Sequence, residues 1–118
     1  MKIEGKAKAL TVFVGESDHW HGKPLYAAIV EMARELGLAG ATVTRGVMGF
    51  GANSRIHTTS ILRLSEDLPI VVQIVDLPER IDLLMAQLDE MVTEGLVVTQ
   101  DVNVERYVHS KGNPQKGG

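Results

Sequence analysis

Three closely spaced glycines are the first feature of the sequence that could bind a ligand. The segment GVMGFGANSR, residues 46–55, places Gly46, Gly49 and Gly51 around Phe50. A glycine-rich turn can direct several backbone N–H groups at an anion such as a phosphate. The same segment could instead form a bend between two strands, with glycine supplying positive φ angles. Phe50, beside flexible backbone, could stack on a base or dock a partner.

Two histidines on either side of Trp20 form a second candidate. His19 and His21 follow Glu16 and Asp18, so nitrogen and oxygen ligands for a divalent metal lie close together in the chain. A His-x-His pair in a loop lacks the further ligands at fixed spacing that define a metal site. The alternative is a solvated loop in which Trp20 packs over the first helix.

His57 lies among hydroxyl side chains, an arrangement that could pair a nucleophile with a general base. The hydroxyls belong to Ser54, Thr58, Thr59 and Ser60. The G-x-S-x-G motif that exposes a nucleophilic serine does not accompany them. We therefore predict that the protein has no catalytic residues and is not an enzyme, with a small hydrolase as the least favoured alternative.

Three arginines could contact a phosphate or carboxylate, because a guanidinium binds these groups through two parallel hydrogen bonds. Arg45 and Arg55 flank the glycines, and Arg106 lies near the C-terminus. Each of them could equally be a surface salt-bridge partner.

The composition is that of a globular domain. The 118 residues match one domain in size, and 44% of them are hydrophobic and 23% charged. A net charge of −3 with scattered basic residues argues against binding to nucleic acid. The sequence has no cysteine and no apolar run near the ~20 residues that a membrane-spanning helix needs. We expect a cytoplasmic protein.

The predicted elements are assigned the order β-α-β-β-α-β, in which 58–64 with 69–76, and 96–99 with 102–108, are the segments of two interrupted strands. Strands are predicted over residues 7–14, 41–45, 58–64, 69–76, 96–99 and 102–108, and helices over 24–36 and from Pro78 to a stop before Gly95. Asp76 and Glu79 are predicted to form a capping box at the second helix. The order is that of the ferredoxin-like α+β fold, an antiparallel sheet with two helices on one face. We assign residues 1–109 to this domain and expect 110–118 to be a disordered tail.

The second face of this sheet would lack a covering helix. Residues 70–75 carry Val and Ile on both faces of their strand. An apolar face without a helix usually packs against a partner subunit. We therefore expect an oligomer.

The run GATVTRGVMGFGANSRIHTTSILRLSEDLPIVVQIVD, residues 40–76, resembles the central segment of PII signal-transduction proteins. Shared features are V-T, then G-F-G, then an H-T pair, then leucine-proline entering a strand. Residues 8–107 as a whole are most similar to a PII-like group, domain-of-unknown-function family 190. That similarity includes the early segment GKPLYAAIVE, residues 22–31.

The resemblance implies a homotrimer of ferredoxin-like subunits with ligand sites in the clefts between them. In PII proteins these clefts bind adenine nucleotides, and a loop reports the ligand state to a membrane transporter or an enzyme. Thr44 and residues 49–51 fall on the cleft side of that pattern. Arg106 falls near the first of two phosphate-binding arginines, and Val108 takes the place of the second. Family members also occur near or fused to fluoride channels, which implies a transport-linked partner.

Three departures from the PII pattern lower the expected affinity for a triphosphate. Ala52 replaces the arginine that follows G-F-G, and TEGLVVTQD at 93–101 replaces the glycine-rich phosphate-binding turn. TTSILRLSED at 58–67 stands where PII proteins have a uridylylated tyrosine motif. A charge-assisted hydrogen bond contributes roughly 1.5–3 kcal/mol. We therefore expect AMP rather than ATP as the ligand.

These inferences combine into one prediction, a non-enzymatic PII-like sensor that holds no cofactor and binds an adenine nucleotide such as AMP. The predicted nucleotide-binding residues are Thr44, Arg45, Gly46, Met48, Gly49, Phe50, Gly51, Arg55 and Arg106. Ligand binding would change the affinity for a partner, with a transporter or fluoride channel as the candidate. The alternative is a trimeric divalent-metal-binding protein, similar in architecture to the divalent-ion tolerance proteins, that uses His19, His21 and His57.

Overall fold

The computed structural model describes residues 2–50 and 68–108. Its strands are β1 (Lys2–Gly15), β2 (His19–Trp20), β3 (Lys23–Pro24), β4 (Thr42–Arg45), β5 (Pro69–Asp76) and β6 (Leu96–Val108), and its helices are α1 (Leu25–Glu35) and α2 (Pro78–Met91). The predicted strand at 58–64 and the tail at 110–118 lie outside the described residues.

The four longer strands form one sheet in the order β4-β5-β1-β6. All three neighbouring pairs are antiparallel. The helix α1 connects β1 to β4 across β5, and α2 connects β5 to β6 across β1. This is the ferredoxin-like topology, so the predicted fold class is confirmed.

Both helices pack one apolar stripe against the same face of the sheet. The buried positions recur at helical spacing and are Leu25, Ala28, Ile29 and Ala33 in α1 and Ile81, Leu84, Leu88 and Met91 in α2. They meet the buried side chains of the two central strands, which are Leu10, Val12, Val14, Ile70, Val72 and Ile74. This single layer is the hydrophobic core.

The end of α1 follows the predicted stop at Gly37. Gly37 has a φ of 84°, in the left-handed region that glycine adopts without strain. Its N–H donates to the carbonyl of Arg34 at 3.1 Å, and the N–H of Leu38 donates to the carbonyl of Ala33 at 3.0 Å. The two bonds form a Schellman motif, which satisfies carbonyls that the helix end would otherwise leave free.

The predicted capping box at α2 is wrong. The N-cap residue is Leu77, and Asp76 is the last residue of β5. The Asp76 side chain is 0% exposed and accepts hydrogen bonds from the N–H groups of Leu77 at 2.7 Å and Ala39 at 2.8 Å.

Arg80 adds two more contacts at this place. It donates to the carbonyl of Gly37 at 2.7 Å, and its Nε lies 3.9 Å from Oδ1 of Asp76. We call Gly37, Ala39, Asp76, Leu77 and Arg80 the Asp76 cluster. It ties the segment after α1 to the start of α2.

Strands β1 and β6 are both longer than predicted. β1 starts at Lys2, and β6 is continuous where two segments were predicted, because Gln100 and Asp101 stay in the ladder opposite Ala9 and Lys8. β6 is an edge strand, so polar side chains at its centre can remain in water. Residues 2–7 of β1 extend beyond the end of β5 and pair with β6 alone among the described strands.

The sheet face opposite the helices is apolar and exposed. Phe13 pairs with Leu96, Thr11 with Val98, and Ala9 with Val75. Phe13, Val75, Leu96 and Val98 are exposed large hydrophobic residues. Across residues 2–50 and 68–108, neither helix is long and apolar enough to cross a membrane.

Candidate functional site

Three strand termini meet at one end of the sheet. Arg45 of β4 pairs with Ile70 of β5, and Pro69 pairs with Gly15 of β1. The N–H of Glu16 also donates to the carbonyl of Leu68 at 2.9 Å. We call residues 15–18, 45–50 and 68–69 the stem end, because the chain between 50 and 68 starts and finishes there.

Gly46 and Gly49 lie so close to the ring of Pro69 that a side chain at either position would collide with it. A Cβ atom on Gly46 would lie 2.7 Å from Cγ of Pro69, and one on Gly49 would lie 2.9 Å from the same atom. Neither is among the positive-φ glycines, so the interpretation that they supply positive φ is wrong. The N–H of Gly46 donates to the carbonyl of Pro69 at 2.7 Å, which holds the segment in this contact.

The segment after β4 presents apolar side chains to solvent. Val47, Met48 and Phe50 are 85%, 69% and 68% exposed. Contiguous exposed apolar surface can mark a ligand or partner contact. Gly46 and Gly49, which lie against Pro69, set where the chain that carries these side chains leaves the sheet.

Arg45 forms a two-point ion pair with Glu16. Nη2 of Arg45 donates to Oε1 of Glu16 at 3.0 Å, and Nε lies 3.0 Å from Oε2. The two side chains are 50% and 29% exposed. Arg45 was predicted to bind an anionic ligand. In the structure, the carboxylate of Glu16 already occupies the Nε/Nη2 edge of its guanidinium.

Asp18 has a structural role at the stem end. Its Oδ2 accepts a hydrogen bond from the N–H of Gly15 at 2.8 Å, and its carbonyl accepts one from the N–H of Leu25 at 2.8 Å. These bonds fix the turn after β1 and the start of α1.

The segment predicted as a loop around Trp20 contains a small hairpin. β2 and β3 are joined by His21, with a φ of 49°, and Gly22, with a φ of 83°. Two positive φ angles define the type I′ turn that two-residue hairpins favour. Trp20 packs against the core and stacks on the ring of His21 at a centroid distance of 4.1 Å.

The hairpin histidines do not join a cluster of metal ligands in the described part of the chain. His19 and His21 are exposed, and no three His, Cys, Asp or Glu side chains within residues 2–50 and 68–108 lie together as ligands would. Lys23 of the hairpin lies 2.7 Å from Glu31. The hydrogen bond to Glu31, and then its charge, raise the pKa of Lys23.

The remaining predicted site residues fall in three places. Thr44 is exposed on β4, opposite Val71. Arg106 is near the end of β6, ten residues after Leu96, or about 33 Å along the strand at ~3.3 Å per residue. One chain therefore does not bring Arg106 to the stem end. Gly51, Arg55 and His57 lie outside the described residues.

Sequence reasoning missed two residues of the stem end. Pro69 was interpreted only as the start of a strand, and Glu16 only as a metal ligand or solvated acid. Glu16 and Arg45 are 29 positions apart, so no local pattern could pair them. The one available signal is the β-α-β order. It makes β1 and β4 parallel, so their C-terminal ends lie at the same end of the sheet.

Comparison with known proteins gives consistent results. The model of family DUF190, described as “Uncharacterized ACR”, matches residues 7–104. A UPF0166 protein of Aquifex aeolicus is 36% identical over 99 residues, which cover 84% of this chain and 93% of the relative. A UPF0166 protein of Methanocaldococcus jannaschii is 33% identical over 100 residues, which cover 84% and 92%.

A solved structure shows the same fold at low sequence identity. It is CPII of Thiomonas intermedia, a nitrogen regulatory PII-like protein bound to ADP, AMP and bicarbonate. The TM-score is 0.61 at 16% identity, with 87% of this chain and 97% of that chain covered. The predicted resemblance is thus confirmed: the fold is PII-like, and the chain belongs to the DUF190 family.

Proposed function

We propose that this protein is a PII-like sensor that binds an adenine nucleotide at the stem end and regulates a partner. One observation carries the proposal. Gly46 and Gly49 lie against Pro69, and Met48 and Phe50 beside them are exposed to solvent, in a fold shared with a protein whose structure contains ADP and AMP. An exposed aromatic side chain suits stacking on a purine base.

The proposed functional form is a homotrimer. The exposed apolar face of β1, β5 and β6 needs a partner of similar chemistry, and further copies of the chain provide one. Replacing Val98 with aspartate would put a charge into that contact. We expect sedimentation velocity to show a trimer for the parent and monomers for Val98→Asp. A parent that sediments as a monomer at micromolar concentration would exclude the trimer.

Trimer formation would also reconcile the positions of the predicted site residues. Cyclic trimers join unlike surfaces of neighbouring subunits. The stem end of one subunit, with Thr44, Gly46 and Gly49, could then meet Arg106 of the next. The proposed ligand is AMP, since the stem end offers few cationic groups for a longer phosphate chain.

Regulation would follow from differential binding. A nucleotide that binds one conformation of the protein better than another shifts the population toward it and changes affinity for a partner. The family resemblance points to a membrane transporter or channel as that partner, and to action in the cytoplasm. Catalysis is not part of the proposal.

Titration calorimetry with AMP, ADP, ATP and cyclic AMP tests the proposal. We expect micromolar binding of AMP, weakened about tenfold by Phe50→Ala, because stacking of an aromatic side chain on a base contributes ~1–3 kcal/mol. Arg106→Ala should weaken binding similarly, whereas Arg34→Ala, with the same change of charge on the exposed face of α1, should not. Absence of heat with all four nucleotides would remove the proposal.

A further inference from the structure

The ion pair between Glu16 and Arg45 bears on which ligands the stem end accepts. Arg45 is the only basic residue among residues 15–18, 45–50 and 68–69, and Glu16 and Asp18 are the acidic ones. The formal charge of the stem end is therefore one positive and two negative, or −1. Within these residues, Arg45 is the one cation that an anion could contact, and two carboxylates accompany it.

The geometry of the Glu16–Arg45 ion pair further limits how Arg45 can bind a phosphate. A guanidinium recognises a phosphate with the same two parallel N–H groups that it offers to a carboxylate. Nε and Nη2 of Arg45 both already face Glu16 at 3.0 Å. A phosphate can use those donors only if it displaces the Glu16 carboxylate.

Glu16 is also held in position by its backbone. Its N–H donates to the carbonyl of Leu68, and Asp18 fixes the turn on its other side through the N–H of Gly15. The carboxylate therefore starts from an anchored Cα at the end of β1. Forming the pair therefore orders the side-chain torsions of Glu16 and Arg45 but requires no further ordering of the Glu16 backbone.

We propose that Glu16 is a specificity-determining residue, which restricts the stem end to ligands with few negative charges by occupying the Nε/Nη2 edge of Arg45 and adding its own negative charge beside it. The inference rests on the proposed nucleotide-binding function and adds a residue and a ligand class to it. A nucleoside monophosphate can bind with Arg45 still paired to Glu16. Each further phosphate adds charge beside Glu16 and gains no contact with the Nε/Nη2 edge that Glu16 already uses.

The test compares AMP with ADP by titration calorimetry on four forms of the full chain: the parent, Glu16→Gln, Glu31→Gln, and Glu16→Gln combined with Arg45→Ala. Glu31→Gln is the matched control, because Glu31 is also an exposed carboxylate in an ion pair, with Lys23. It removes the same charge from a place outside the stem end.

We expect Glu16→Gln to raise the affinity for ADP relative to AMP by about 3- to 10-fold, the range for a partly exposed charge-assisted contact. Glu31→Gln should leave that ratio within twofold of the parent. The double variant should return the ratio to the parent value, because the gain depends on the freed guanidinium. Melting curves would show that each variant is folded, and Glu16→Ser repeats the charge removal on a shorter side chain.

Two results would overturn the inference and leave the proposed function intact. One is AMP binding to Glu16→Gln with an unchanged ratio of ADP to AMP affinity. The other is an equal gain in Glu31→Gln, which would assign the effect to net charge alone. Absence of binding by the parent to either nucleotide would remove the proposed function itself, and the inference with it.

Discussion

The two ends of the sheet each contain a carboxylate at the end of a central strand, in contrasting surroundings. Asp76 is the last residue of β5, is fully buried and accepts hydrogen bonds from two backbone N–H groups. Glu16 follows β1, is partly exposed and pairs with a half-exposed side chain. The bonds of Asp76 connect elements of the fold, whereas the ion pair of Glu16 joins two partly exposed side chains. The carboxylate at one end is enclosed by the fold, and the carboxylate at the other end is accessible to solvent.

Removing the Asp76 carboxylate should have the largest effect on stability. Asp76→Ala leaves the N–H groups of Ala39 and Leu77 without their acceptor, and we expect it to lower the free energy of unfolding by about 3 kcal/mol. Asp76→Asn keeps one acceptor oxygen and should cost about half as much. Urea denaturation measures both.

Asp82→Ala is the control for this prediction. Asp82 is an exposed carboxylate on α2 whose contact with Lys8 is 3.8 Å long, so its removal should change stability by less than about 0.5 kcal/mol. Equal effects of Asp76→Ala and Asp82→Ala would refute the structural role of the Asp76 cluster.

Adding a methyl group at the stem end should have an intermediate effect. Gly46→Ala and Gly49→Ala place a Cβ inside contact distance of Pro69, and we expect each to destabilise by about 1–3 kcal/mol through overpacking. Pro69→Ala in the same chain should recover part of that loss. Thermal melting of the single and double variants measures the coupling energy between each glycine and Pro69.

Gly40→Ala is the matched substitution for the glycine series. Among the described residues, nothing lies within 4 Å of a Cβ placed on Gly40, so we expect little change in melting temperature. If Gly46→Ala were as well tolerated as Gly40→Ala, the contact with Pro69 would not be the reason for glycine there.

Breaking the Glu16 pair should have the smallest effect on stability. A partly exposed ion pair contributes less than about 1 kcal/mol and is screened by salt. Glu16→Gln should therefore lower the free energy of unfolding by less than that amount, and 0.5 M salt should reduce the difference further. A loss comparable to that of Asp76→Ala would show that Glu16 is part of the scaffold.

The sequence predicted the elements well where local chemistry determines them. β5 has the predicted bounds, and α1 ends before Gly37 because a left-handed glycine follows it. It failed where a distant residue decides the structure. Gly46 and Gly49 lie too close to Pro69 for a side chain, and Asp76 accepts a hydrogen bond from the N–H of Ala39. These contacts become visible only when the strands are paired.

The candidate site divides in the same way. Residues 46–51 were singled out from composition, since three glycines around an aromatic stand out in any chain. The partner of Arg45 was not found, because Glu16 carries no local signal of its role. A charged residue in a sequence shows what it can bind, and the fold determines what it does bind.

Amide chemical shifts of the 15N-labelled protein titrated with AMP test the contrast between the two ends most directly. The account predicts shifts at Gly46, Gly49 and Phe50, with the amides of Ala39 and Leu77 unchanged. Binding of AMP that moves the Asp76 cluster and leaves residues 46–50 unchanged would contradict it.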